Sequence, residues 1–428
     1  MRTIALALAA LAFSAPLGAQ ESDTVDTAEQ SALETRAEQV VALLNGEIEP
    51  EEVMTSAFIA QLPPEQLKAI SAAWVAQYGE ARSVEELPDP GGTRSTLAIR
   101  MERAIARGSF AIDSNENNRI SELRFQSFER VGDTPDAIAS DLDALPGDVS
   151  YWFGPLDGGA PLLASAENPQ MPLGSTFKLY VLAALAREVA QGKRNWDDVV
   201  TLTDTRSYPS GVMQDWPSQA PVTLHTLASQ MISISDNTAT DQLITLLGRD
   251  VVAQAMVDSG HSEPALNTPF LTTRELFLLK GGPVSRLASY RRSDAEVREQ
   301  ILDGMDTPAL SANEIEAAFL IGPIALDVEW FASAADLANL FGFMRETADP
   351  QAFAILAIKP SMMPSSRPNW RYVGYKGGSE PGVLQLTWLL TDKEGRDHVL
   401  VLSWRNEAAN VDTSALEAIA QRIHALTP

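Results

Sequence analysis

Hydrophobic and polar positions change their period along the chain. From about Ala28 the spacing is helical, with Val40, Val41, Leu43 and Leu44 on one segment and Leu67, Ile70, Trp74 and Val75 on another. Pro63-Pro64-Glu65 opens the second segment, where proline starts helices at little cost. After a break at Pro88-Asp89-Pro90-Gly91-Gly92 the period becomes two. Leu97, Ile99 and Met101 alternate with polar residues, Phe110 and Ile112 follow, and Ile120, Leu123 and Phe125 come after the turn-like residues 113–118. Helices followed by an antiparallel sheet predict a small α+β domain over residues 20–131, with no catalytic constellation of its own. Its first residues, 20 to about 27, are polar and acidic and read as a flexible leader.

Residues 132–147 read as an acidic linker, carrying Asp133, Asp136, Asp141 and Asp143. A second domain, 148–428, begins with Val149-Ser150-Tyr151-Trp152-Phe153, a Gly/Pro/Asp turn and residues 161–165, the pattern of a hairpin. A mainly helical middle runs from 175 to about 346. Extended segments follow around 372–376, 383–390 and 398–404, the last two joined by a turn at Asp392-Lys393-Glu394-Gly395. A final helix opens with Asp412 as its cap and carries Leu416, Ile419, Ile423 and Leu426 at helical spacing. Strands at both ends with helices between predict one antiparallel sheet built from the two ends of this domain. The fold class is α+β.

Composition narrows the chemistry. A length of 428 residues suggests two or three domains. A net charge of -25 argues against nucleic acid and anionic lipid as partners, since phosphates are repelled. With no Cys there are no disulfides, no Cys-ligated metal and no cysteine nucleophile. The four His (His225, His261, His398, His424) are scattered and none forms HExxH, so no metal or other cofactor is expected. A Ser–His–Asp hydrolase survives only if one of them is its base; otherwise acid–base work falls to Lys, Ser, Tyr, Asp or Glu. At the N-terminus, Arg2, an apolar run over 4–13 and the small-residue exit Ser14-Ala15-Pro16-Leu17-Gly18-Ala19 describe a secretory signal peptide, 1–19. The apolar run is too short to span a bilayer. The expected product carries no membrane anchor and is secreted, most simply to a bacterial periplasm.

Three short motifs carry the candidate chemistry. Of seven lysines one has a serine three residues earlier: Lys178, in Gly174-Ser175-Thr176-Phe177-Lys178, ahead of the apolar run 179–185. On a helix this spacing puts the Ser175 hydroxyl and the Lys178 amine on one face, within hydrogen-bonding reach. Burial lowers a lysine's pKa, so a neutral Lys178 can accept the serine proton. The same residues also fit a helix cap followed by an ordinary lysine. Ser235-Asp236-Asn237 reads either as a proton-relaying hydroxyl with a substrate-holding amide or as a polar helix cap. Lys376-Gly377-Gly378-Ser379 lies in strand context, where a cation can hold a carboxylate and glycines let a substrate approach the strand edge. The triplet occurs again as Lys280-Gly281-Gly282, where it ends a helical pattern and reads as a glycine cap.

In this order and spacing the three motifs resemble the class A β-lactamase and penicillin-binding serine acyl-enzyme superfamily, over roughly residues 147–428. The two-domain layout is similar to the class A-like serine hydrolase of clavulanic acid biosynthesis clusters, whose front domain is a steroid-isomerase-like cone. The resemblance implies Ser175 as acylated nucleophile, Lys178 as its base, Ser235 as proton donor to the leaving nitrogen and Asn237 as a substrate-positioning amide. It further implies Lys376 as carboxylate partner, Gly378 and Ser379 as substrate-binding positions, and the backbone N–H groups of Ser175 and Ser379 as the oxyanion hole. Two departures stand out. Lys376-Gly377-Gly378 replaces the family's Lys-Thr-Gly, removing a hydroxyl that Ser379 partly replaces. Glu263-Pro264-Ala265-Leu266-Asn267 matches the ExxLN of the deacylating loop, yet lies only 28 residues beyond Ser235. Glu263 is therefore either the deacylation base or an acidic loop residue. Tyr208 and Trp216 either wall the site or pack in the core. Three activities fit a small-molecule acyl donor as substrate: β-lactam hydrolysis, cephalosporin esterase or cell-wall peptidase action with little β-lactam turnover, and acylation without turnover in a penicillin-binding sensor.

Overall fold

The computed structural model describes residues 23–87, 92–131, 133–305, 310–320, 322–364 and 366–426. The expected signal peptide, 1–19, and most of the break at 88–92 lie outside the described residues. Contacts divide the chain into two compact units, Met1–Asp133 and Thr134–Pro428.

In the first unit, helices α1 (Asp23–Leu44) and α2 (Pro64–Tyr78) precede an antiparallel meander of four strands, β1 (Ala81–Glu86), β2 (Arg94–Met101), β3 (Ala104–Asp113) and β4 (Arg119–Arg130). Leu33, Ala37 and Val40 of α1 pack against Leu97 and Ile99 of β2, Phe110 and Ile112 of β3, and Ile120 of β4. The period-two apolar positions of the sequence are thus the core face of the sheet. Strand β1 carries no such signal, because only Ala81 of its six residues is buried.

The second unit starts earlier than its first strand. Residues 135–143, expected as part of an acidic linker, form helix α3 (Pro135–Asp143), capped by the Thr134 hydroxyl, which accepts from the Ala137 N–H. Ile138 and Leu142, four residues apart, are fully buried, while Asp136, Asp141 and Asp143 stay exposed. Burying two such side chains contributes roughly 1.5–3 kcal/mol each, enough to hold a short acidic helix against a core.

The unit is built on a five-stranded antiparallel sheet drawn from both ends of its sequence. Its strands are β5 (Asp148–Pro155), β6 (Leu163–Ala164), β7 (Tyr372–Glu380), β8 (Val383–Thr391) and β9 (Asp397–Arg405), in the order β7-β8-β9-β5-β6. The termini meet where β9 pairs with β5, Leu400 lying opposite Phe153. Strands β8 and β9 are buried on both faces. On one face Leu389, Val399 and Val401 join the core around helix α4 (Lys178–Ala190). On the other, Leu386, Trp388, Leu402 and Trp404 pack against α3 and the C-terminal helix Thr413–Ala425, which is capped by Asp412. Nine successive residues of α4, from Lys178, are buried, so it is a core helix with no solvent face over that stretch. Strand β7 is left at the sheet edge. Among the described residues no helix is long and apolar enough to cross a membrane.

Candidate active site

The residues of the three motifs meet beside β7. Gly174–Phe177 forms a 3-10 turn that runs directly into α4. In such a turn residues three apart eclipse one another, which aligns Ser175 with Lys178. The turn lies against the backbone of β7, and Gly378 makes this approach possible. A Cβ at Gly378 would fall 2.1 Å from the Leu173 carbonyl oxygen and 2.5 Å from the Ser175 nitrogen. Gly174, at φ +46°, faces the strand from the other side; its Cβ would fall 2.9 Å from the Ser379 nitrogen. The backbone N–H groups of Ser175 and Ser379 are thereby brought to one place.

Ser235 enters from a second loop in a left-handed conformation, φ 60°. For a residue with a Cβ this costs on the order of 1–3 kcal/mol and persists only where surrounding bonds enforce it. Asp236 supplies them. Its fully buried carboxylate accepts from Ala239 N–H at 2.8 Å, capping helix α5 (Asn237–Leu247), and from Val212 and Met213 N–H at 2.7 and 2.8 Å. The Asn237 amide is oriented by its own partners: Nδ2 donates to the Tyr208 carbonyl at 3.0 Å, so Oδ1 faces Lys178.

Lys178 is completely buried. Its Nζ lies 2.6 Å from the Ser235 carbonyl oxygen, 2.7 Å from Asn237 Oδ1 and 3.1 Å from Ser235 Oγ. Burial lowers its pKa to about 7, against the opposing pull of Asp241 and Asp236. A neutral amine has two N–H bonds and one lone pair. Two of its neighbours, the carbonyl and the amide oxygen, only accept, so they use both N–H bonds and leave the lone pair toward hydroxyl groups. Among the described residues the Ser175 hydroxyl forms no hydrogen bond, so the expected Ser175–Lys178 bond is not made in this state. Lys376 reaches the same relay from the strand: Nζ lies 3.1 Å from Ser235 Oγ and 2.5 Å from the Gly377 carbonyl oxygen. Burial, and after it the charge of Lys178, hold its pKa well below the lysine range. One hydroxyl is therefore shared by two amines that cannot both be charged cheaply.

Ser175, Ser235, Asn237, Lys376, Gly378 and Ser379 line one open cavity of about 570 Å³, with Lys178 beneath its floor. Glu263 is not there. It is exposed, at the start of the 3-10 turn Pro264–Asn267, and the partner residue of its motif, Asn267, is spent on the backbone of Phe331. Tyr208 contributes only its carbonyl, and Trp216 packs against the hydrophobic core, so neither walls the cavity.

Several neighbours of the cavity had no signal of their own in the sequence. Asp241 accepts from Thr273 and Arg274 N–H at 2.8 and 2.9 Å and from Ser207 Oγ at 2.6 Å, tying α5 to helix α6 (Thr273–Lys280). Lys280 ends α6, where Gly281 N–H closes the last turn on the Phe277 carbonyl. Its side chain, however, is buried against Glu329 and Glu380, both of which line the cavity.

The family model that matches residues 134–423 is described as the beta-lactamase enzyme family, and it covers more than half of the chain. Among solved structures, a β-lactamase from Sphaerobacter thermophilus DSM 20745 is similar at 22% identity, over 68% of this chain and 93% of that one, with a TM-score of 0.46. A putative class A β-lactamase from Rhodopseudomonas palustris shows 16% identity over 68% and 97%, with a TM-score of 0.48. A structure of PBP-A shows 17% identity over 68% and 94%, with a TM-score of 0.46. Comparison with curated proteins gives no match. The chain belongs to the β-lactamase enzyme family.

Proposed function

We propose that this protein is an exported serine hydrolase that opens β-lactams or related acyl donors through an acyl-enzyme on Ser175. The observation that carries the reading is the convergence of Ser175, Ser235 and Lys376 on one cavity above a buried Lys178 of lowered pKa. In this mechanism the neutral Lys178 amine takes the Ser175 proton as Oγ attacks the substrate carbonyl carbon. The resulting oxyanion is held by the N–H groups of Ser175 and Ser379. Collapse breaks the bond to the leaving group, which takes a proton from Ser235; Ser235 is reprotonated by Lys178, 3.1 Å away, and Lys178 returns to its neutral form. A substrate carboxylate stabilises the charged form of Lys376. The first unit serves, on this reading, as a steroid-isomerase-like front domain, and the signal peptide, 1–19, directs the chain to the periplasm.

A second reading is favoured by the position of Glu263. With that carboxylate exposed, no motif residue activates water for deacylation, and Glu329 and Glu380 are engaged by Lys280. Slow release of a β-lactam acyl group, or preference for ester donors, follows. A fluorescent penicillin separates the possibilities. Rapid turnover supports the β-lactamase, a persistent label the non-turning-over form, and ester cleavage without labelling the esterase. Absence of both labelling and ester cleavage would overturn the serine hydrolase.

A further inference from the structure

The cavity does not stop at the face of the sheet that carries Lys376. It passes around the edge of β7, and on the far face Ser361, Tyr375, Leu386 and Thr413 line it. The two sides meet at Gly377. A Cβ there would fall 2.1 Å from the Tyr375 hydroxyl oxygen and 2.9 Å from its Cζ. The phenol thus fills the space that a side chain at 377 would take, and sets a hydroxyl where Lys-Gly-Gly removes one. We propose that Tyr375 is a substrate-binding residue whose hydroxyl donates to the acyl donor's carboxylate beside Lys376. This rests on the acyl-enzyme reading given above.

Three observations lead there. The first is convergence. Side chains 375 and 376 leave opposite faces of the strand, yet both end at residue 377. Tyr375 arrives over its Cα, and Lys376 Nζ lies 2.5 Å from its carbonyl oxygen. An ammonium and a hydroxyl on the two sides of one edge position suit the two oxygens of a carboxylate. Lys359 and Glu417, both exposed, line the far side with opposite charges, so Lys376 decides the sign of the ligand.

The second is the phenol's proton. Burial pushes the Tyr375 phenol up to about 12, so the hydroxyl is intact at neutral pH. The hydrogen bond of the Ser361 side chain opposes that rise, the effect of a bond donated to the phenol oxygen. Tyr375 therefore keeps its own O–H to give. The third is a comparison within the same strand. Tyr372 lies over Gly374 in the same way, its oxygen 2.4 Å from the Cβ that Gly374 lacks. There the hydroxyl donates to the Phe353 carbonyl at 2.8 Å, and Tyr372 stays outside the cavity. Tyr375 repeats the packing of tyrosine over glycine, but in the cavity wall and, among the described residues, with no backbone acceptor.

Benzylpenicillin and its methyl ester share the ring and the acyl group and differ only at the carboxyl. Second-order acylation rates for both are measured by intact mass on the full-length chain at one ionic strength. The ratio of acid to ester is compared between wild type and Tyr375→Phe, which keeps the ring 4.8 Å from Trp388 and the net charge unaltered. It should fall at least about threefold, the difference between a charge-assisted and a neutral hydrogen bond. A smaller change in folded Tyr375→Phe overturns the inference, since a merely structural tyrosine affects both donors alike. A second pair reads benzylpenicillin alone. Tyr375→Leu should acylate about tenfold more slowly than wild type, and Tyr375→Leu/Gly377→Ser, with a hydroxyl in the vacated space, should recover most of that loss. A double variant no faster than the single one also overturns the inference. No adduct from benzylpenicillin with wild type overturns the β-lactam acyl-enzyme on which it rests, a result distinct from an unchanged ratio.

Discussion

In the proposed mechanism Lys178 is the residue on which the chemistry turns, because its reactive form is the neutral one. Its pKa is lowered to about 7, so the amine is increasingly deprotonated as pH rises through that value. Acylation should therefore climb roughly tenfold per pH unit below about 7 and level off above it. The acylation rate measured against pH checks this; a profile flat from acid to neutral pH contradicts Lys178 as base. The serine–lysine spacing and the SDN triplet were legible because their partners are local or ordered along the chain. Lys280 was not. Its carboxylate partners are 49 and 100 residues away, and a Lys-Gly-Gly that closes a helix in sequence gives no hint of a buried ion cluster. Glu263 shows the opposite failure. Its motif letters match, but tertiary placement leaves it on the surface, where Asn267 braces the Phe331 backbone instead of a catalytic loop.

At the scale of elements, the proposed active site depends on a 3-10 turn lying close to an edge strand. Gly378→Ala would insert a methyl group 2.1 Å from the Leu173 carbonyl oxygen, backbone that cannot step aside. The strand must withdraw from the turn, separating the N–H of Ser379 from that of Ser175. The loss expected is about 10²–10³ in acylation rate, the value of one oxyanion donor, with the secondary structure retained. Acylation kinetics and circular dichroism together check this, and a near-wild-type rate would show that the two N–H groups do not act jointly. Elements with strong periodicity could be read directly: β2 and β3 from alternation, and the last helix from its Asp412 cap. Two others were hidden for physical reasons. Strand β1 buries one residue in six, and α3 has only two apolar anchors in an acidic segment.

Over the whole molecule, strands at the two ends of the second unit close one sheet, an arrangement legible from the order of periodic segments alone. The pairing that joins them, β9 with β5, spans the sequence of the helical middle, and β8 links β9 to the edge strand β7. The net charge of -25 sets a long-range condition on substrates. An anionic β-lactam is repelled until it reaches the lysines, so its kcat/KM should rise about twofold on going from low to moderate salt, as screening shortens the repulsion. An uncharged ester should show no such rise, and steady-state kinetics at two ionic strengths compare them. The central claim is the covalent step itself. Intact-mass spectrometry of the full-length chain mixed with benzylpenicillin should show one adduct equal to the whole β-lactam, located on the peptide containing Ser175, and none with Ser175→Ala. An adduct of undiminished yield in Ser175→Ala, or one mapped to another residue, would contradict the account.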